Sequence, residues 1–202
     1  MSGKRYRLTH PSVADDLIDE EEFDKDERLP YWAEIWPSAR ALARRLSRED
    51  LKGRRAIELG CGVGLATVAA LDGGARVLAT DYYEAALDFA RHNARQNTGR
   101  EPETALLDWK APHLDGPGAF DLVFAADVLY EEGSARALAG LVPSLLAPGG
   151  EALVADPGRQ YEPLFRELVL ERGFGFETEE TEVDVEGRER KARVVVHRIR
   201  PG

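Results

Sequence analysis

Cysteine is nearly absent: Cys61 is the only one in 202 residues, so no internal disulfide can form. No run of 18 apolar residues occurs, which leaves no candidate membrane span. The opening stretch MSGKRYRLTHPS lacks the apolar segment of a secretory signal, so a cytoplasmic location is expected. The four histidines, His10, His92, His113 and His197, lie far apart. With a lone cysteine they give no zinc-type spacing, and no metal is expected. Basic residues are also in deficit. Lys and Arg number 27 against 37 Asp and Glu, a net charge of −10, and no basic patch suited to a nucleic-acid backbone stands out.

The acids are unevenly spread. Between Asp15 and Glu27 there are nine acids and one base, Lys25, a net of −8. Such a block reads as a solvated tail, or as an arm that attracts a basic protein by long-range electrostatics. The expected division is therefore an acidic, partly disordered arm over residues 1–28 and one domain over 29–202. At 43% hydrophobic residues, that domain can bury a sizeable core. There is no internal repeat, and a monomer is expected.

Past the arm, Trp32 and Trp36 stand four apart between Pro30 and Pro37. Ser38 is placed to cap a helix over Ala39–Leu46. Strands and helices then alternate: strand Arg55–Leu59, glycine loop Gly60–Gly64, helix Leu65–Leu71, strand Ala75–Thr80, helix Tyr83–Gln96, strands Glu103–Leu107 and Asp121–Ala126. A helix over Ser134–Leu146, stopped by Pro148-Gly149-Gly150, leads to strand Glu151–Ala155 and helix Tyr161–Arg172. Two arms flanking Glu186-Gly187-Arg188, residues 175–185 and 191–200, predict a terminal β-hairpin. Alternation of this kind implies a mostly parallel sheet with helices on both faces.

Four motifs carry chemistry. The first is Glu58-Leu59-Gly60-Cys61-Gly62-Val63-Gly64, where a strand ends and a helix begins. Three glycines at alternate positions let the backbone pass close to a ligand, and the helix start offers free N–H groups. A dinucleotide fingerprint would place its third glycine at Leu65; here it is Gly64. The second is Asp81, at a strand end, as an acceptor for two ribose hydroxyls or as a helix cap, with Tyr82 beside a sugar or adenine. The third is Asp108-Trp109, an acceptor for an amino group and a ring for stacking, although the tryptophan also suits a core. The fourth is Asp127-Val128-Leu129-Tyr130-Glu131, past the fourth strand, where ligands of open α/β sheets bind. There Asp127 can also cap a helix and Glu131 can be a solvated acid. Cys61 reads as a small filler rather than a nucleophile.

Together these residues resemble the class I S-adenosylmethionine-dependent methyltransferases of family 16, which include many protein-lysine methyltransferases. The resemblance runs from about Leu29 to Arg200. It is carried by the Trp32–Trp36 segment, the Glu58–Gly64 loop and the D-x-x-Y-E segment at Asp127. Asp156-Pro157-Gly158-Arg159 is similar to bacterial enzymes acting on the β-subunit of electron-transfer flavoprotein. The resemblance implies a Rossmann-like, mostly parallel seven-stranded sheet with a C-terminal hairpin. It implies S-adenosylmethionine as cofactor, with Trp36 and the backbone of Gly60, Cys61, Gly62 and Gly64 at its methionine end. Glu58 would order the loop or meet the amine, Asp81 would hold the ribose, and Asp108 and Trp109 the adenine. Asp127, Tyr130 and Glu131 would receive the nucleophile, and Asp127 would also border the cofactor. The expected acceptor is a lysine amine on a protein. A small-molecule N- or O-methyltransferase is the alternative on the same fold, and a binding domain without catalysis is a third.

Overall fold

The structure, a computed structural model, describes residues 4–11, 31–114, 120–185 and 190–202. The acidic run at 15–27 lies outside these, as do the turn residues 186–188. After a short 3₁₀ turn at Tyr31–Ala33, the first helix is α1, Pro37–Leu46. Pro37 opens it, where a missing N–H costs nothing and the fixed φ suits a helix. Ser38 is not the cap. Trp36 holds that position, and Ser38 lies one residue inside the first turn with its hydroxyl turned elsewhere.

The remaining elements are β1 (Arg55–Leu59), α2 (Leu65–Asp72), β2 (Arg76–Asp81), α3 (Glu84–Thr98), β3 (Glu103–Leu106), β4 (Phe120–Ala126), α4 (Glu132–Leu145), β5 (Leu146–Asp156), α5 (Glu162–Glu171), β6 (Phe174–Val183) and β7 (Ala192–Pro201). They form one seven-stranded sheet in the order β3-β2-β1-β4-β5-β7-β6. The first five strands are parallel. β7 is antiparallel to both β5 and β6, so it alone runs against the sheet. The expected hairpin is present, with its second arm inserted between its first arm and β5.

The sheet is covered on both sides, which is why its central strands are continuously apolar. Side chains alternate between two cores with the strand period of two. Ala56, Leu122 and Phe124 face α1 and α2, whereas Ile57, Leu59, Val123 and Ala125 face α4 and α5. The strand order reverses between β1 and β4, the switch point at which open α/β sheets hold ligands.

Pro148-Gly149-Gly150 does not separate a helix from a strand. It lies within β5, which begins at Leu146, pairs there with Phe120, and shifts register before Leu122 pairs with Glu151. The glycines permit this irregularity. A Cβ on Gly150 would stand 2.8 Å from the Phe120 carbonyl oxygen.

Residues 4–11 lie against the domain. Tyr6 and Leu8 pack on the α1–α2 core, and Asn93 and Asn97 on α3 bond the backbone of Thr9 and Arg7. No helix among the described residues is long and apolar enough to cross a membrane.

Candidate active site

A cavity of about 450 Å³ opens beyond the carboxyl ends of β1, β2 and β4, a volume in the range of cofactor sites. Its walls include the glycine loop, Asp81, Tyr82, Asp108, Trp109, Asp127, Tyr130, Glu131, Trp36, Glu58 and Arg159.

Gly60, Gly62 and Gly64 all adopt positive φ, at 72°, 49° and 84°. The N–H groups of Gly60 and Cys61 both donate to the Thr80 carbonyl oxygen at 2.9 Å. The atoms that forbid a side chain at these glycines are the protein's own. A Cβ would meet the Trp109 ring at 3.0 Å from Gly60, the Trp32 carbonyl oxygen at 2.9 Å from Gly62, and Ala90 Cα at 2.7 Å from Gly64. Gly64 is thus the seam between α2 and α3 and is not part of the cavity wall, whereas Gly60, Cys61 and Gly62 are.

Two buried acids organise the loop. Asp81 accepts the N–H of Gly62 at 2.9 Å and of Tyr83 at 3.1 Å, with Tyr82 N–H contributing as well. It does not cap α3, whose cap position is Tyr83. Burial raises its pKa against these three bonds. Glu58 takes the hydroxyl and the backbone N–H of Thr67, in the first turn of α2. These contacts tie the end of β1 to the first turn of α2, across the glycine loop. Burial, with the charge of Asp81 nearby, pushes its pKa up to about 8. Cys61 is buried, and desolvation raises its thiol well above the usual range, which fits a filler.

At the next wall, Trp109 is half-buried, packs against the α4–α5 core and closes over Gly60. Among the described residues its Nε1 is buried without an acceptor. Asp108 Oδ1 accepts Lys110 N–H at 2.9 Å in a tight turn. The exposed Tyr82 ring meets Tyr83 edge-on.

The opposite end of the cavity is aromatic and charged. Asp127 is buried and is the only non-glycine residue with positive φ among those described, at 61°. It does not cap α4, whose cap position is Glu131. Its Oδ1 accepts Arg159 Nε at 2.6 Å and its Oδ2 accepts Ser38 Oγ at 3.2 Å. The Arg159 guanidinium lies 5.5 Å from the centre of the Trp36 ring. Tyr31 stands edge-on to Trp36 at 6.1 Å and to Tyr130 at 5.7 Å. Trp36 Nε1 donates to the Tyr31 carbonyl oxygen at 2.8 Å, fixing the ring. Glu131 is an exposed rim acid, 3.8 Å from Lys110 Nζ.

Comparison with known proteins bears on this arrangement. Residues 22–163 match the model of a lysine methyltransferase family. The chain belongs to that family. It is 36% identical over 148 residues to the electron transfer flavoprotein beta subunit lysine methyltransferase of Xenopus laevis, covering 69% of this chain and 58% of that protein. It is 31% identical over 165 residues to EEF1A lysine methyltransferase 3 of Mus musculus, covering 78% and 70%. The chain therefore spans little more than half of the first relative's length. A TehB-like SAM-dependent methyltransferase from Corynebacterium glutamicum shares the fold, with a TM-score of 0.62 at 17% identity, covering 91% and 94%. The expected Rossmann-like class I methyltransferase sheet is the one observed.

Within this family member, some residues that support or line the site are silent in the sequence. Thr67 looks like an ordinary residue of a small-residue helix, and only its contact with Glu58 gives it meaning. Ser38 and Arg159 lie 89 and 32 residues from Asp127, and no spacing rule joins them.

The buried Glu58 makes a pH signature. Its folded pKa, about 8, lies above the reference 4.5. Its contribution to stability is full below about pH 4.5 and falls as pH climbs towards 8, because only the unfolded chain ionises readily in that window. Glu58→Gln removes this dependence. Urea denaturation at pH 5 and pH 8 is expected to show the variant gaining on the wild type at the higher pH. A constant difference would mean that Glu58 ionises normally in the fold.

Proposed function

We propose that this chain transfers a methyl group from S-adenosylmethionine to a lysine side-chain amine of a protein. The observation that carries the reading is one cavity with two unlike ends. One end has glycine-loop backbone held by Asp81, with Glu58 tying the strand before the loop to Thr67 in the helix after it. The other has a buried carboxylate, Asp127, among aromatic rings. The related lysine methyltransferases support the acceptor type.

The wall residues fit the cofactor. Gly60 and Gly62 present bare backbone, Asp81 lines the same cavity and would serve as the ribose acceptor, and the buried Trp109 Nε1 is a donor in want of a partner. When bound, S-adenosylmethionine supplies an electrophilic methyl group on a sulfonium. The chain's own part is positioning and electrostatics. Asp127, held by Ser38, orients an amine and stabilises the cation that methylation leaves on it. The rings of Tyr31, Trp36 and Tyr130 exclude water and favour that cation. The amine must lose its proton before it attacks, and proximity to another positive centre lowers its pKa.

Calorimetric titration with S-adenosylhomocysteine, with NAD in parallel, tests the cofactor. Micromolar binding of the first alone is expected; binding of NAD instead would overturn the reading. A labelled-methyl screen of lysate protein, with free small amines alongside, then tests the acceptor. Label on small amines but on no protein would favour the small-molecule alternative. In the same titration, Asp81→Ala is expected to weaken S-adenosylhomocysteine binding by about 1–3 kcal/mol, because the loop amides lose their acceptor. Undiminished affinity would confine Asp81 to a local turn.

A further inference from the structure

We infer that Arg159 occupies the place of the substrate's own cation, so that an acceptor side chain enters by exchanging with it. This rests on the methyl-transfer reading above. Among the described residues, Arg159 alone combines the contacts expected of a bound lysine head. Its Nε touches Asp127 at 2.6 Å, and its guanidinium lies over the Trp36 ring. It reaches there from a fixed base. Asp156 Oδ1 accepts the N–H of Gly158 at 2.7 Å and of Arg159 at 2.6 Å, and Gly158 bends at φ 93°. The backbone is thereby pinned, while the side chain keeps about a third of its surface exposed and has room to swing out.

The Asp127 side chain, by contrast, is only 4% exposed. A buried carboxylate that loses its cation without replacement is costly. Arg159 can therefore leave only when another cation takes over Asp127 and Trp36. A long aliphatic ammonium satisfies that condition. A hydroxyl or a carboxylate does not, so the exchange selects acceptors by repelling wrong ones as well as by holding the right one. Arg159 acts as a specificity-determining residue. Unlike lysine, its guanidinium stays protonated and so makes no nucleophile of its own.

The test converts the guard into an acceptor. Arg159→Lys puts an amine nitrogen where the guanidinium carbon now stands. Once its proton is lost to water, its lone pair forms a C–N bond to the methyl carbon as the S–CH3 bond breaks. S-adenosylhomocysteine departs as a neutral thioether, and the positive charge stays on the methylated nitrogen. Wild type, R159K, R159M and the double variant D127N/R159K are each titrated with S-adenosylhomocysteine, then incubated with S-adenosylmethionine and analysed by mass spectrometry. R159K is expected to gain methyl mass at position 159, the wild type and R159M none there, and the double variant far less than R159K. R159K that binds S-adenosylhomocysteine like the wild type yet stays unmodified overturns the inference and leaves the cofactor reading intact. A wild type that does not bind S-adenosylhomocysteine overturns both. Should R159K fail to fold, R159M is assayed with n-butylamine as the probe. Removing the guard is expected to raise its methylation roughly tenfold over wild type, and equal rates overturn the inference.

Discussion

Asp127→Asn is expected to lower turnover by roughly two to three orders of magnitude, the usual loss when a group placed at developing charge is removed, while S-adenosylhomocysteine binds almost as before. Asn is the right replacement because Asp127 sits at φ 61°, a conformation that asparagine tolerates and alanine does not. The shape remains and one oxygen still accepts, while the other becomes an amide that donates, and the negative charge goes. The site then holds Arg159 without its counterion, and a methylated cation leaving the reaction has no partner at all. A kcat loss with little change in cofactor affinity is the pattern of a group that acts on the acceptor. A parallel loss of S-adenosylhomocysteine binding would instead put Asp127 in the cofactor's contact surface.

The largest expected effect on stability is that of Gly64→Ala, a single added carbon. The backbone there has φ 84°, which strains any side chain, and the new Cβ would lie 2.7 Å from Ala90 Cα and 2.8 Å from Ala90 Cβ. Neither atom belongs to a flexible side chain, so α2 and α3 must part. Strain of this kind and overpacking each cost about 1–3 kcal/mol. A combined loss of about 3 kcal/mol is a large share of a domain's usual 5–15 kcal/mol. Urea denaturation should show a clearly lower midpoint, and an unchanged midpoint would mean that the helix pair slides apart freely.

The parts of this molecule that were legible in its sequence are local. A strand running into alternate glycines, an acid at the next strand end, and a hairpin after the last helix each have a composition that dictates a shape. The parts that were not legible depend on distance along the chain or on torsion. Ser38 was placed beside a helix start and read as its cap, yet Pro37 moves the start back and frees the hydroxyl for Asp127. Pro148-Gly149-Gly150 has the composition of a stop, and became an irregular stretch of β5 because Leu146 had already paired with Phe120. Arg159 was visible only as the end of a resembling segment. Its role appears once β4 and β5 lie side by side and bring their ends to one cavity.

Asn93, fully buried on α3, has a further consequence. Its amide nitrogen donates both to the Thr9 carbonyl oxygen and to the Val63 carbonyl oxygen, each at 2.8 Å, while its Oδ1 accepts Thr9 N–H. One side chain thus splices Thr9 to the glycine loop. The functional unit does not begin where strands and helices begin to alternate. A truncation or fusion that peels residues 7–9 from α3 would strip Asn93 of its two bonds to Thr9 and loosen the side chain that also holds Val63 of the ligand-facing loop.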